Sequence, residues 1–382
     1  MRTASLCAFL ASRYRLHVVT FAVGDPPPTP APAADRWDWV RLPVHRRDLA
    51  ARSIRNASRL ARGVLPLSDR FSQPDSLSQV ARAIAGRRYE VAVVEHFWCA
   101  SYHDLLAGQA ACVVMDMHNI ESALHARCAS SDRFPGRWAH RLFARVAVRA
   151  EREWLPRFDL VLVASDADRD RLRSLEPGAR VAVYPNALPR RLPDPVEEDH
   201  CVAFSGNLEY HPNVAAVRYF AREVWPALRQ QDPRLRWRLI GKNEWAVRRW
   251  TAADPRIETT GAVDDPLREL ARARVVVAPL LAGSGTRIKI LEAWAAGRAV
   301  VSTHLGAEGL PARDGENLLL ADTPAGILEA VTRLLGDRDL RRRLGEAGRA
   351  VVDQQLCWPV VWQGLERSLA VELRKPSDAI LR

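Results

Sequence analysis

Lysine is nearly missing from this chain. Of 56 basic side chains only Lys242, Lys289 and Lys375 are lysine, and the other 53 are arginine. A bias this wide reads first as a coding habit, so arginine richness alone names no partner. Cysteine is scarce too. The six (7, 99, 112, 128, 201 and 357) show no CxxC or paired spacing, which excludes a disulfide framework and a cysteine zinc site and fits reduced thiols in a cytoplasmic protein. The ten histidines contain no HExxH. No apolar run reaches the length of a membrane span, and Arg13 and Arg15 interrupt any signal-peptide core.

What is present is a chain of 382 residues with 48% hydrophobic side chains, enough for two domains with sizeable cores. Charge is uneven. Residues 1–190 hold 28 arginines and 19 acidic residues, a net of +9, and the remainder contributes only +2. A basic half suits an anionic partner: phospholipid headgroups, a lipid diphosphate or nucleic acid.

Apolar runs alternate with helical patterns. Residues 2–13 read as a helix with Leu6, Phe9 and Leu10 near one face, followed by the strand "LHVVTF". "YEVAVVEHF" (Tyr89–Phe97), "ACVVMDMH" (Ala111–His118) and "FDLVLVAS" are buried-strand candidates, and Ser165 or Asp166 caps the helix after the last. In the second half, "HCVAFSG", "RLRWRLIG", "VVVAPLL" and "RAVVST" read as strands, with one helix expected over Asn213–Arg229 and another over "TRIKILEAWAAG", ended by Gly297. Strand–helix alternation gives parallel βα units. The expected class is α/β, as two Rossmann-like doubly wound domains facing a cleft: residues 1–193, residues 199–355, and a terminal segment 356–382 crossing back to the first domain, anchored by Trp358 and Trp362. The proline- and charge-rich "PRRLPDPVEED" (Pro189–Asp199) marks the boundary.

The densest chemistry lies in "AGSGTRIKILEAWAAGRAVVSTHLGAEGL" (Ala282–Leu310). Ligands of parallel sheets bind at the carboxyl ends of strands, and a helix starting there aims N–H groups and its positive end at the ligand. Gly283 and Gly285 permit close backbone approach. Arg287 and Lys289 add positive charge for a diphosphate, and Glu292, further along the helix, can accept two hydrogen bonds from a ribose diol. Together they fit a nucleoside diphosphate.

This segment resembles the donor site of retaining GT-B glycosyltransferases of family four (GT4), the "glycosyl transferases group 1" proteins, in the branch with a G-x-G-T-R-x-K-x-L-E-A pattern. "FSGNLEYHPNVAAVRYFAREVWPALR" (Phe204–Arg229) and "DMHNIES" (Asp116–Ser122) are also similar. The resemblance implies transfer of a sugar, of hexosyltransferase type (EC 2.4), from a nucleotide sugar to a glycan or polyprenyl-linked acceptor. It also implies retention without a cofactor or metal, typically in surface polysaccharide biosynthesis. By this resemblance Glu292 holds the ribose. Gly206 and Asn207 approach the diphosphate. Gly283, Ser284, Gly285 and Thr286 meet phosphates and sugar. His118 matches a first-domain histidine facing the donor sugar.

Three departures stand out. The position eight residues before Glu292, often glutamate in relatives, is Ser284, so a carboxylate contact to the sugar is either absent or comes from elsewhere, with Glu308 as the candidate. The loop "GNLEYHPN" carries no arginine or lysine, so charge compensation for the leaving diphosphate falls to Arg287 and Lys289. Finally, relatives begin with a strand and glycine loop where this chain begins with a helix, so roughly 15–20 residues are expected to be missing before Met1, including the first strand. A catalytically impaired nucleotide-sugar binder and a GT-B-like epimerase are the rival functions.

In the first half, "GRWAHRLFARVAVRAEREWLPRF" reads as a long helix with Arg137, Arg141, Arg145 and Arg149 on one face. Trp138, Leu142, Val146 and Trp154 form a neighbouring face, and two readings stay open: an ordinary solvated helix, or one whose apolar side packs on the core while its arginines rest on anionic lipid. The second reading implies peripheral contact at the inner face of the membrane. Nucleic acid is not expected, because the arginine-rich faces lack interleaved aromatics.

Overall fold

The computed structural model describes residues 2–23, 34–42, 49–131, 134, 136–190, 196–282 and 288–373. The chain divides into two compact units. Unit 1 is Met1–Tyr184 with Trp362–Arg382, and unit 2 is Pro185–Val361.

Unit 1 opens with the helix Arg2–Ala11, whose Leu6, Phe9 and Leu10 are buried. Strand β1 (His17–Ala22) pairs in parallel with β2 (Arg36–Arg41) as a separate two-stranded sheet. The larger sheet runs β3 (Tyr89–Glu95), β4 (Ala110–Asp116), β5 (Leu160–Val163) and β6 (Val181–Val183), all parallel. The central "LVLV" of β5 is buried at every position, as expected of a strand covered on both faces. Ser165 caps the next helix, accepting from the Asp168 N–H. The helices Leu49–Arg62, Pro66–Phe71 and Pro74–Ile84, and β2, are not foreseen from sequence, since arginines and prolines obscure the apolar spacing there. At the far end of the chain, Trp362 rests against Phe9, and its indole N–H donates to Ser5 Oγ at 3.1 Å.

The helix Gly136–Trp154 corrects one expectation. Its core face is Phe143, Ala147 and Glu151. Trp138 and Leu142 do not pack inward; they are 56% and 41% exposed. Advancing 100° per residue, Trp138 stands almost opposite Phe143 and Ala147.

Unit 2 contains β7 (Asp199–Ser205), β8 (Arg236–Ile240), β9 (Ile257–Thr259), β10 (Ala273–Ala278), β11 (Ala299–Ser302) and β12 (Leu319–Leu320). Their spatial order is β9-β8-β7-β10-β11-β12, all parallel. From β7 the chain builds outward one way through β8 and β9, then returns to place β10 on the other side. The order therefore reverses between β7 and β10, which is where doubly wound sheets bind ligands. The single helix expected over Asn213–Arg229 is two, His211–Glu223 and Trp225–Gln231, joined at Val224. Pro226 is the cause, because its ring and missing N–H oppose continuation of a helix. Beneath them Trp237 packs against Phe220 and Trp225, at centroid distances of 4.7 and 5.8 Å. Burying one such large apolar side chain contributes about 1.5–3 kcal/mol.

The amino-terminal rim of this sheet is an ion network. Asp199 meets Arg238 at 2.8 Å and Arg272 at 2.9 Å, and Arg236 meets Glu258 at 2.8 Å. Glu198 meets Arg298, Arg341 and Arg274. These charges serve the end of the sheet away from Ser205 and Ala278, and leave that opposite end for a ligand.

None of the six cysteines forms a disulfide. Among the described residues no helix is long and apolar enough to cross a membrane.

Candidate functional site

The site in unit 2 starts where β7 and β8 end. Gly206 and Gly241 have φ of +138° and +144°, backbone that side-chain-bearing residues rarely adopt. They also lie against each other: a Cβ on Gly241 would stand 2.0 Å from the Gly206 carbonyl oxygen. A Cβ on Gly206 would come within 2.8 Å of Asn213 Nδ2 and 3.2 Å of Lys289 Nζ. The strand end is thus bare backbone with an ammonium beside it.

Lys289 is in the first turn of the helix Ile288–Ala295. Its Nζ donates to Asn213 Oδ1 at 2.8 Å and lies 4.7 Å from the centre of the Phe204 ring. Asn213 in turn donates to the Asn207 carbonyl at 2.8 Å. Two hydrogen bonds therefore fasten a cation over the glycine turn at the amino end of the His211–Glu223 helix. One turn after Lys289, Glu292 accepts from Ser205 Oγ at 3.3 Å. Burial raises the Glu292 carboxyl above its ordinary range, against the opposing pull of Lys289 and the Ser205 hydrogen bond. The structure thus brings Gly206, Asn207, Lys289 and Glu292 to one place, the point where strand order reverses.

Gly283, Ser284, Gly285, Thr286 and Arg287 lie outside the described residues. Thr303 Oγ1 donates to the Leu280 carbonyl at 2.7 Å, and Ser302 Oγ to the Ala278 carbonyl at 3.1 Å. Glu308 is half-buried and follows the short helix His304–Ala307.

In unit 1, His118 follows β4 at the carboxyl edge of the sheet. Its Nε2 is 2.7 Å from Glu95 Oε2 and 3.6 Å from Asp116 Oδ2. Burial disfavours the imidazolium, but these carboxylates outweigh it and raise His118 to about 8. Asp116 is fully buried and held by Arg2, whose Nε donates to both carboxylate oxygens at 3.1 and 3.0 Å. Arg2 also donates to the Tyr184 carbonyl. His96, at φ +68°, stacks on Trp98 and meets the tilted His118 ring on its other side, with centroids at 4.0 and 3.9 Å. Burial, then the neighbouring His118, lowers His96 to about 3. Glu95 Oε1 is buried without a hydrogen-bond partner. Glu95, His96 and His118 place three ligand-capable atoms within 4.8 Å of one another, the group among the described residues best arranged for a metal ion.

Sequence reasoning misses Ser205, Asn213, Gly241, Glu95, His96, Asp116 and Arg2. The signals for Gly241 and Glu95 were present: both stand at the carboxyl end of an apolar run, "RLIG" and "VAVVE".

Residues 199–337 match the model of the family described as "Glycosyl transferases group 1". No curated protein matches. Among solved structures, sucrose-phosphate synthase from Thermosynechococcus elongatus is similar at 17% identity and a TM-score of 0.72, over 97% of this chain and 92% of that one. Anabaena HepE, solved with UDP-glucose, is similar at 16% identity and a TM-score of 0.63, over 96% of both chains. The fold is that of the GT-B glycosyltransferases. A trehalose-6-phosphate synthase, studied with bisubstrate glycomimetics for transfer with retention, shares this GT-B architecture at 12% identity and a TM-score of 0.64, over 96% of each chain.

Proposed function

We propose that the protein is a retaining glycosyltransferase that moves a sugar from a nucleoside-diphosphate sugar to a glycan or lipid-linked acceptor, in building surface polysaccharide. One observation carries the reading. Lys289 and Glu292 stand one helical turn apart beside the bare Gly206 turn, at the reversal point of a sheet whose span matches the group 1 glycosyl transferase model. A cation by exposed backbone suits a diphosphate, and a carboxylate one turn away suits a ribose diol.

In this reading the nucleoside diphosphate leaves from an oxocarbenium-like sugar. Lys289 and Arg287 stabilise the charge that develops on the departing diphosphate, and the acceptor hydroxyl attacks from the leaving-group face and gives its proton to the diphosphate oxygen. The charge is supplied by side chains, so no metal is required. His118, raised to about 8 by its carboxylates, is the residue of unit 1 that we assign to the reacting sugar. Sequence resemblance supports this role. Structural neighbours solved with UDP or UDP-glucose make uridine nucleotides the first to test.

The experiment is a thermal-shift screen with UDP, GDP, ADP, dTDP and their sugars, followed by product analysis. A true donor at a hundred times its Kd stabilises by about 2.7 kcal/mol, and slow hydrolysis releases free sugar and nucleoside diphosphate. An isomerised nucleotide sugar, or binding with no turnover in the presence of any acceptor, would overturn the assignment.

A further inference from the structure

The outer face of the Gly136–Trp154 helix is the least explained surface of unit 1. Its inner face is satisfied by Phe143, Ala147 and Glu151. On the opposite side Trp138 and Leu142 are 56% and 41% exposed, and Phe134, just before the helix, is 79% exposed. Large apolar side chains spaced four apart and turned to solvent mark a contact surface. The same face carries Arg137, Arg141, Arg145 and Arg149, all exposed. No acidic residue occurs between Phe134 and Ala150. The Arg141 guanidinium sits 5.8 Å from the centre of the Trp138 ring. Beside this face a groove of about 420 Å³ has an alanine-rich floor and is edged by Arg127, Arg145 and Arg171.

We propose that this face docks unit 1 on an anionic phospholipid bilayer, with Phe134, Trp138 and Leu142 entering the interface and the arginines meeting lipid phosphates. The chemistry selects this occupant. Aromatic rings and aliphatic tips interleaved with arginine suit the boundary between headgroups and acyl chains, where guanidinium stems lie along hydrocarbon and their heads reach phosphate. A second copy is a poor fit, because a two-fold interface would set this arginine face against itself. Trp138 lies opposite the core, so it enters a membrane without any repacking of the fold. The proposal does not depend on the enzymatic reading, since nucleotide binding belongs to unit 2.

The test is co-sedimentation of the full chain with vesicles of phosphatidylcholine alone or mixed with phosphatidylglycerol. One variant carries Arg141→Gln and Arg145→Gln. A second carries Trp138→Ser and Leu142→Ser. These positions are exposed, so both variants should keep the wild-type thermal melt, which is recorded alongside. Wild type should bind only the phosphatidylglycerol vesicles, less so at high salt. An arginine near an anionic surface contributes roughly fivefold in affinity, so the first variant should lose at least about tenfold. The second should lose a comparable amount, and brominated lipids should quench wild-type fluorescence more than that of a Trp138→Leu chain. No preference for anionic vesicles, or unchanged binding by both variants, overturns the proposal. So does a wild-type dimer that the second variant makes monomeric, or tight binding to single-stranded nucleic acid that the vesicles fail to displace.

Discussion

Lys289 Nζ lies 2.8 Å from Asn213 Oδ1 although 76 positions separate them. The bond ties the start of one helix to the start of another across the end of β7. It holds an ammonium over a turn from which Cβ atoms are excluded. Asn213 thus aims the cation, and its amide is itself held by the Asn207 carbonyl.

Removing the cations should separate phosphate recognition from nucleoside recognition. Neutralising Arg287 and Lys289 together, as Gln, should weaken a nucleoside diphosphate at least about tenfold more than the free nucleoside, given roughly 1.5–3 kcal/mol per charged hydrogen bond. Calorimetric titration of both ligands reads the difference. Equal losses would assign the pair to structure instead.

Glu292→Ala should act on the nucleoside end. Loss of charged hydrogen bonds to ribose should weaken the nucleotide at least about tenfold, with folding retained. Burial raises this carboxyl, so affinity for the wild type should fall on acidification at a higher pH than an exposed glutamate would require. Unchanged affinity in the variant excludes the ribose role.

Transfer should survive EDTA, because arginine and lysine supply the charge compensation. The Glu95–His96–His118 group makes this a sharp test. Activity abolished by chelator and restored by magnesium, manganese or zinc would place a cation in the reaction.

Glu121→Gln should stabilise the protein above neutral pH. Burial, and then the charge of Glu151, pushes the Glu121 carboxyl up to about 7. A carboxyl raised on folding favours the folded state fully below its unfolded value near 4.3. That advantage is lost as pH rises through about 7. The neutral amide escapes the loss, so the variant should be more stable than wild type by about 1–3 kcal/mol at pH 8, and close to it at pH 4. Denaturant melts at the two pH values measure this. A variant destabilised equally at both would show a structural role for the carboxylate.

Local signals made much of unit 2 legible. Glycines before a helix, and a lysine and glutamate three residues apart on it, place Lys289 and Glu292 from sequence alone. Their partners were not legible, because Asn213 and Ser205 are distant in the chain and look like ordinary cap and strand residues. Periodicity also failed at Trp138. A helix pattern shows which residues share a face but not which face is buried. In the Gly136–Trp154 helix the buried stripe includes Glu151, which reads as polar, while the exposed stripe includes tryptophan and leucine. The break at Val224 was missed although its cause, Pro226, stands in plain sight.

The arginine–carboxylate rim of unit 2 has a consequence for heat. Hydration of charged groups becomes less favourable as temperature rises, so the penalty for holding them together shrinks, while apolar burial per unit area levels off. Asp199, Glu198 and Glu258 each serve two or more arginines, which makes the rim a network in place of isolated pairs. Warming therefore leaves unit 2 relatively better supported, and a scanning calorimeter should find its melting the last event to complete.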